Sequence, residues 1–111
     1  SCDMLTITNF NNDLETTKEK KGIVITSRVH PGETQASFVM EYMIDFLTGA
    51  TLEAKILRDN FIFKIVPMLN PDGVINGNYR CNLAGVDLNR QYIEPSKKLH
   101  PSIFHLKQVF C

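Results

Sequence analysis

The stretch FIFKIVPML at positions 61–69 decides the fold of this chain. It is almost continuously apolar, which is typical of a central strand covered on both faces, and Pro67 falls where the hydrogen-bonded ladder would be ending. The shorter run IVIT at positions 23–26 is rich in β-branched residues and predicts a second strand buried on both faces. Two predicted helices, over residues 34–48 and 52–59, separate these strands. A strand, two helices and a strand form a crossover unit, so we predict a parallel pair of strands in an α/β sheet.

The flanking segments complete the predicted architecture. Residues 4–8 alternate between polar and apolar side chains and predict another strand, whereas residues 9–21 are polar and predict a surface loop. Residues 70–95 are rich in Gly, Asn, Asp and Pro and predict mostly loops, and residues 101–110 predict a last helix that begins with a proline. The helix over 34–48 carries a stripe that we expect to face the core, formed by Ala36, Val39, Met40, Met43, Phe46 and Leu47.

Length and charge narrow the classes of protein that this chain can represent. The 111 residues suffice for one small domain. Lys plus Arg equals Asp plus Glu at 12 each, and this balance argues against a nucleic-acid binder or a membrane binder that works through a basic face. No apolar run approaches the ~20 residues that span a bilayer. The chain starts with Ser1 and shows no secretory signal, and we expect it to be a piece of a longer protein.

The cysteines indicate a reducing compartment. Cys2, Cys81 and Cys111 are odd in number and far apart, and no C-x-x-C motif occurs. This pattern suggests neither a disulfide framework nor a cysteine zinc site. We therefore expect reduced thiols and a cytoplasmic location.

A candidate metal pair follows the strand at 23–26. His30 and Glu33 are separated by a Pro-Gly turn, and ligands in α/β sheets bind beyond the carboxyl ends of the strands. An imidazole and a carboxylate at this spacing can converge on one zinc ion, whose catalytic sites commonly use two His, one Glu and a water. The alternative is structural: His30 caps the strand end, and Glu33 lies at the N-terminus of the next helix, where the dipole favours a carboxylate.

A second candidate group contains Arg80, Asn89 and Arg90. A guanidinium binds a carboxylate through two hydrogen bonds and keeps its charge at any working pH. Two arginines and an amide above the same rim would suit an anionic ligand or an oxyanion. The alternative is that these are ordinary surface arginines, with Asp87 as a salt-bridge partner.

The remaining polar positions predict structural roles. Residues 70–73, Asn-Pro-Asp-Gly, have the composition of a tight turn that would return Arg80 to the rim. His100 and His105 are five residues apart and do not share a helical face, so neither is expected to be a metal ligand.

Four blocks of sequence carry a resemblance to a known family: RVHPGET at 28–34, FKIVPMLNPDGV at 63–74, NYRC at 78–81 and DLNRQ at 87–91. In order and spacing they closely resemble the cytosolic carboxypeptidases, a branch of the zinc metallocarboxypeptidases. The match extends from about residue 22 to the end of the chain.

The resemblance implies a role for each candidate residue. His30 and Glu33 match the first two zinc ligands, and Arg80 matches the arginine that polarises the scissile carbonyl and stabilises the oxyanion. Asn89 and Arg90 match the pair that grips the terminal carboxylate of the substrate. The implied reaction is zinc-dependent removal of C-terminal residues, expected to be glutamates, and the implied partner is a peptide or protein C-terminus such as that of polyglutamylated tubulin.

The resemblance also implies that residues 1–111 form the N-terminal part of a catalytic domain, with a partial, metallocarboxypeptidase-like mixed α/β sheet. The third zinc ligand of the family, a histidine, has no matching position here, nor do its substrate-binding tyrosine and general-base glutamate. We therefore expect this segment alone to be inactive. Two alternatives stay open: a zinc deacylase of the aspartoacylase type, and a truncated binding module without catalysis.

Overall fold

The computed structural model describes residues 2–11 and 13–110, so Ser1, Asn12 and Cys111 lie outside the described residues. In chain order the secondary-structure elements are β1 (Leu5–Ile7), α1 (Leu14–Glu19), β2 (Lys21–Thr26), α2 (Gln35–Thr48), α3 (Leu52–Asn60), β3 (Phe61–Val66), α4 (Pro71–Ile75), a 3₁₀ turn (Leu88–Arg90) and α5 (Pro101–Phe110).

The strands form a mixed sheet with the order β1-β3-β2. β2 and β3 are parallel, with Ile23 opposite Phe63, and β1 is antiparallel to β3, with Leu5 opposite Ile65. The predicted crossover through two helices and the α/β class are thus confirmed. β2 has one neighbour in the described sheet, and its three central side chains are half-buried rather than buried on both faces as predicted.

The central strand β3 contributes to both sides of the core, because successive side chains of a strand point to opposite faces. On one face, Phe63 and Ile65 pack with Met40 and Leu47 of α2. On the other face, Val66 packs in a cluster with Leu69, Leu88, Ile103 and Leu106. α2 and α5 therefore cover opposite faces of the sheet.

The predicted stripe on α2 is too wide. Met40 and Leu47 are buried, but Val39 and Phe46 remain 59% and 47% exposed. Each exposed residue precedes a buried one, and one residue corresponds to a rotation of about 100° around a helix axis. Only the narrower face around Met40 and Leu47 reaches the described sheet.

Two helices replace predicted loops. α1 begins after Asp13, whose side chain accepts a hydrogen bond from the Thr16 amide at 2.7 Å. The predicted tight turn at 70–73 is the start of α4, in which Asn70 is the N-cap and Pro71 the first helical residue. Proline fits this position because it lacks the N–H that would have no partner in a first turn. No helix in the described part of the chain is long and apolar enough to cross a bilayer.

Candidate metal centre and substrate-binding residues

The segments that follow β2 and β3 meet at one edge of the sheet. The amide of Leu69 donates to the Ser27 carbonyl at 2.9 Å, and the amide of Asn70 donates to the Arg28 carbonyl at 3.2 Å. Because the two strands are parallel, their carboxyl ends lie side by side. This contact holds the loop that carries His30 and Glu33 against the start of α4.

His30 and Glu33 converge across the Pro-Gly turn. His30 is buried and Glu33 half-buried, and His30 Nδ1 lies 3.4 Å from Glu33 Oε2. Two ligands on a tetrahedral zinc ion, each bonded at about 2.0–2.1 Å, are separated by about 3.3 Å. The pair therefore fits two corners of a zinc site.

Asp87 connects this pair to Arg80. Asp87 Oδ1 lies 3.0 Å from His30 Nε2, and Asp87 Oδ2 accepts a hydrogen bond from Arg80 Nε at 2.8 Å. Burial alone would raise the pKa of the Asp87 carboxyl, but hydrogen bonds from the Asn89 amide, the Arg80 guanidinium and the His30 ring together hold that pKa below its ordinary value. Asp87 is therefore ionised at neutral pH.

An ionised Asp87 requires a proton on one nitrogen of the His30 ring. A carboxylate only accepts hydrogen bonds, so Nε2 must carry the proton that it donates to Asp87. The lone pair of a neutral ring is then on Nδ1, the nitrogen that faces Glu33. A carboxylate that orients a metal-binding histidine in this way is common in zinc sites.

The 3₁₀ turn carries the second predicted pair. The Asn89 amide donates to Asp87 Oδ1 at 3.0 Å, which caps the turn, and both Asn89 and Arg90 are exposed. Arg90 Nη1 donates to the Asn89 carbonyl at 3.4 Å. In the described residues Arg80 is thus linked to His30 through Asp87, whereas the side chains of Asn89 and Arg90 make no direct polar contact with His30, Glu33 or Arg80.

Two glycines allow the loops to approach closely. Gly32 donates its amide to the Tyr79 carbonyl at 2.6 Å, and a Cβ at Gly32 would lie 2.2 Å from a carbon of the Tyr79 ring. A Cβ at Gly73 would lie 2.6 Å from a side-chain carbon of Pro31. Glycine therefore permits the turn of the candidate metal pair to pack against α4 on one side and against the residue before Arg80 on the other.

A third metal ligand is not found in the described part of the chain, where no group of three or more His, Cys, Asp and Glu side chains could hold a metal ion. His100 is buried just before α5, and its Nδ1 accepts a hydrogen bond from the Ser96 amide at 3.0 Å. His105 is exposed and packs edge-on against Phe104, with ring centroids 5.4 Å apart.

The main apolar groove lies elsewhere. It has a volume of about 780 Å³ and lies between the end of β3, α4 and α5, and it is lined by Val66, Leu69, Leu88, Leu99 and Leu106 among others. None of His30, Glu33, Arg80 and Arg90 lines it. The polar residues at the sheet edge, rather than this groove, form the candidate site.

The place of Asp87 beside His30 did not follow from the sequence. A salt bridge between Asp87 and an arginine was one of two alternatives, and the ion pair with Arg80 is present. The contact with His30 spans 57 positions and has no local signal.

Comparison with known proteins identifies the family to which this chain is similar. The family model described as "Zinc carboxypeptidase" matches residues 1–107. Cytosolic carboxypeptidase 4 of Homo sapiens is 53% identical over 96% of this chain, and cytosolic carboxypeptidase 6 of Mus musculus is 54% identical over 96% of it. The solved structure of a metallo-carboxypeptidase from Pseudomonas aeruginosa superposes with a TM-score of 0.86 at 30% identity over 98% of this chain.

This chain covers only a small part of each matched protein. This chain spans 10% of the human relative, 20% of the mouse relative and 28% of the Pseudomonas chain. The similarity nevertheless extends over nearly all of this sequence, including all four blocks of motifs. The chain therefore belongs to the zinc carboxypeptidase family.

Proposed function

We propose that the protein carrying this chain is a zinc-dependent carboxypeptidase, and that residues 1–111 form the N-terminal part of its catalytic domain. The contact that carries the proposal is the convergence of His30 Nδ1 and Glu33 Oε2 at 3.4 Å, with Asp87 holding the other ring nitrogen of His30. Family membership and the small share of each relative that the chain spans support the assignment to one part of a larger domain.

His30 and Glu33 are the proposed zinc ligands in this chain. A zinc ion bound there would lower the pKa of its water and polarise the scissile carbonyl of the substrate. Glu33 acts as a ligand and not as the general base in this proposal. The third ligand and the general base are proposed to come from residues beyond this segment.

Arg80 is proposed to stabilise the oxyanion of the tetrahedral intermediate. Its bond to Asp87 uses Nε, and the two Nη nitrogens carry the other four N–H donors of the guanidinium. A fixed cation close to the developing negative charge contributes more than a mobile one, because it needs no reorganisation during the reaction.

Asn89 and Arg90 are proposed to bind the terminal carboxylate of the substrate. Both side chains are exposed at the turn that Asp87 caps. An exopeptidase must recognise a free carboxylate, and an arginine with a neighbouring amide supplies the hydrogen-bond donors for it. The structure of the related Pseudomonas metallo-carboxypeptidase is a complex with (2-guanidinoethylmercapto)succinic acid, which also carries carboxylates.

For the substrate, we propose C-terminal glutamates of proteins such as tubulin, in the cytoplasm. The resemblance to the cytosolic carboxypeptidases supports this choice of substrate, and the names of the relatives, which call them cytosolic carboxypeptidases, support the location. The exposed cations Arg80 and Arg90 favour an acidic substrate tail over a basic one.

Zinc content and peptide hydrolysis of the full-length protein test this proposal. We expect His30→Ala to lose bound zinc and the release of glutamate from a glutamate-tailed peptide, whereas His105→Ala, an exposed histidine on α5, keeps both. Arg90→Ala should raise KM for the free peptide, and an amidated peptide should not be cleaved by either protein.

Three results would contradict parts of the proposal. Wild-type zinc content in His30→Ala would remove the metal assignment. Zinc binding without release of any C-terminal residue would favour a binding module without catalysis. Equal cleavage of glutamate-tailed and lysine-tailed peptides would remove the substrate assignment and leave the reaction class in place.

A further inference from the structure

Arg28 has an unusual backbone conformation directly before the candidate metal pair. Its φ is +57°, and it is the one non-glycine residue with positive φ in the described part of the chain. Arginine rarely adopts this region, because its Cβ comes too close to the backbone, whereas glycine adopts it freely. A residue that is kept in an unfavourable conformation is expected to be held there by its surroundings.

The side chain of Arg28 spans the loop that carries His30 and Glu33. Its Nε donates to the Pro31 carbonyl at 2.9 Å, which lies between the two candidate ligands. Its Nη1 donates to Ser37 Oγ at 2.7 Å, in the first turn of α2. One planar guanidinium thus connects the middle of the loop with the helix that follows it.

The backbone of Arg28 provides a third point of attachment. Its carbonyl accepts the amide of Asn70, the N-cap of α4, at 3.2 Å. The neighbouring Val29 carbonyl accepts Asn70 Nδ2 at 3.3 Å. Arg28 therefore contacts the turn between the candidate ligands, α2 and the N-cap of α4 at the same time.

We propose that Arg28 is a positioning residue that fixes the distance between His30 and Glu33 before metal binds. The left-handed backbone turns the chain after β2 so that the guanidinium can reach forward over the loop, and the two side-chain bonds then hold the Pro-Gly turn closed. This inference rests on the proposed function, since it assumes that His30 and Glu33 are the zinc ligands.

The test compares variants of the full-length protein in which only the side-chain bonds are lost. Arg28→Gly keeps the backbone conformation without strain and removes the guanidinium. Arg28→Asn, whose residue type tolerates positive φ, is the second variant in case glycine loosens the fold. Ser37→Ala removes one of the two partners from the other side.

Two measurements report on the loop directly. We expect Arg28→Gly and Arg28→Asn to raise the zinc dissociation constant, measured by competition with a chromophoric chelator, by about 10- to 100-fold. In the metal-free proteins, amide hydrogen exchange over residues 29–33 should become faster, while the thermal midpoint of Arg28→Gly stays close to that of the wild type. Ser37→Ala should shift both readouts in the same direction by less.

Arg58→Ala is the matched control. Arg58 Nη1 donates to the carbonyls of Leu47 and Gly49 at 2.6 and 2.8 Å, at the connection between α2 and α3. Its loss should lower the thermal midpoint and leave the zinc dissociation constant and the exchange of residues 29–33 unchanged.

The outcomes separate this inference from the proposed function. If His30→Ala abolishes zinc binding but Arg28→Gly and Arg28→Asn have the wild-type dissociation constant and exchange rates, the positioning role is wrong and the metal site stands. If His30→Ala keeps its zinc, the metal site itself is wrong.

Discussion

Asp87 performs two tasks with its two carboxylate oxygens. Oδ1 lies against His30 Nε2 and also accepts the Asn89 amide, and Oδ2 accepts Arg80 Nε. Each contact favours the ionised carboxyl, and together they lower its pKa despite burial. One residue thereby sets the tautomer of a proposed zinc ligand and the position of the proposed oxyanion donor.

Substitution of Asp87 should therefore destabilise the protein in a pH-dependent way. Because the folded-state pKa is below the ordinary value of about 3.9, the carboxylate stabilises the fold above that pH, and this contribution is lost as the pH falls through the folded pKa. We expect Asp87→Asn to lower the free energy of unfolding by about 1–3 kcal/mol at pH 7 in the metal-free, full-length protein. Urea denaturation at pH 7 and pH 3 measures the difference.

The exposed Asp45 on α2 provides the control for this prediction, since Asp45→Asn should change stability little at either pH. The difference between wild type and Asp87→Asn should shrink at pH 3. A difference that stays constant or grows as the pH falls would mean that the ionised carboxylate is not what stabilises the fold.

At the scale of elements, α4 depends on a buried cap. Asn70 is 2% exposed; its Oδ1 accepts the Gly73 amide at 3.0 Å, and its Nδ2 donates to the Val29 carbonyl next to His30. The side chain therefore begins a helix and at the same time attaches it to the candidate metal loop.

Removal of this buried cap should lower the free energy of unfolding more than removal of an exposed cap does. Asn70→Ala leaves the buried Gly73 amide and the Val29 carbonyl without these partners. We expect it to lower the free energy of unfolding by about 2–3 kcal/mol. Thr51, the N-cap of α3, is exposed and accepts the Ala54 amide, so Thr51→Ala should cost about 1 kcal/mol. Denaturant unfolding of both variants in the full-length protein compares them; equal losses would show that the contact with Val29 contributes nothing.

The sequence predicted the elements that long apolar patterns define and missed two short helices, α1 and α4. β2, α2 and β3 followed from apolar patterns, the helix predicted over 52–59 corresponds to α3, and the crossover of these elements brings the His30 loop and Asn70 together. α4 was wrongly predicted as a turn, since Asn-Pro-Asp-Gly suits both a turn and a capped first helical turn.

The candidate site was predictable to a similar degree. The approach of His30 to Glu33 followed from a short spacing after a strand, and it needed no tertiary information. The bridge through Asp87 could not be predicted, because it joins residues that are far apart in sequence and depends on how two loops fold over the sheet edge. The positive φ of Arg28 is likewise set by tertiary contacts and not by its residue type.

At the scale of the whole molecule, much apolar surface is exposed. Phe38 and Tyr42 on α2 are 62% and 75% exposed, and β2 has an open edge in the described sheet. Apolar patches and unpaired strand edges promote association unless another segment covers them.

We therefore predict that residues 1–111 alone bind zinc weakly, do not hydrolyse glutamate-tailed peptides and tend to aggregate. Two ligands leave the ion poorly fixed, and the absence of a general base would remove a further ~10²–10⁴-fold of rate. Calorimetric zinc titration and a release assay test this, with the full-length protein as the control. Tight one-to-one binding with turnover that His30→Ala abolishes would mean that a third ligand lies within this segment, and His100 and His105 would be the first to examine.

The position of β3 between β1 and β2 also determines when the sheet can form during synthesis on the ribosome. β3 is the last of the three strands in sequence, and its pairs join residues 60 and 40 positions apart, Leu5 with Ile65 and Ile23 with Phe63. At about 5–20 residues per second, β1 waits roughly 3–12 s for its partner after it has been translated. Since β1 and β2 are not neighbours in the described sheet, they do not pair with each other during that wait. A nascent chain that stalls before residue 61 cannot form the described sheet, and the loop of His30 and Glu33 then lacks the support of β3.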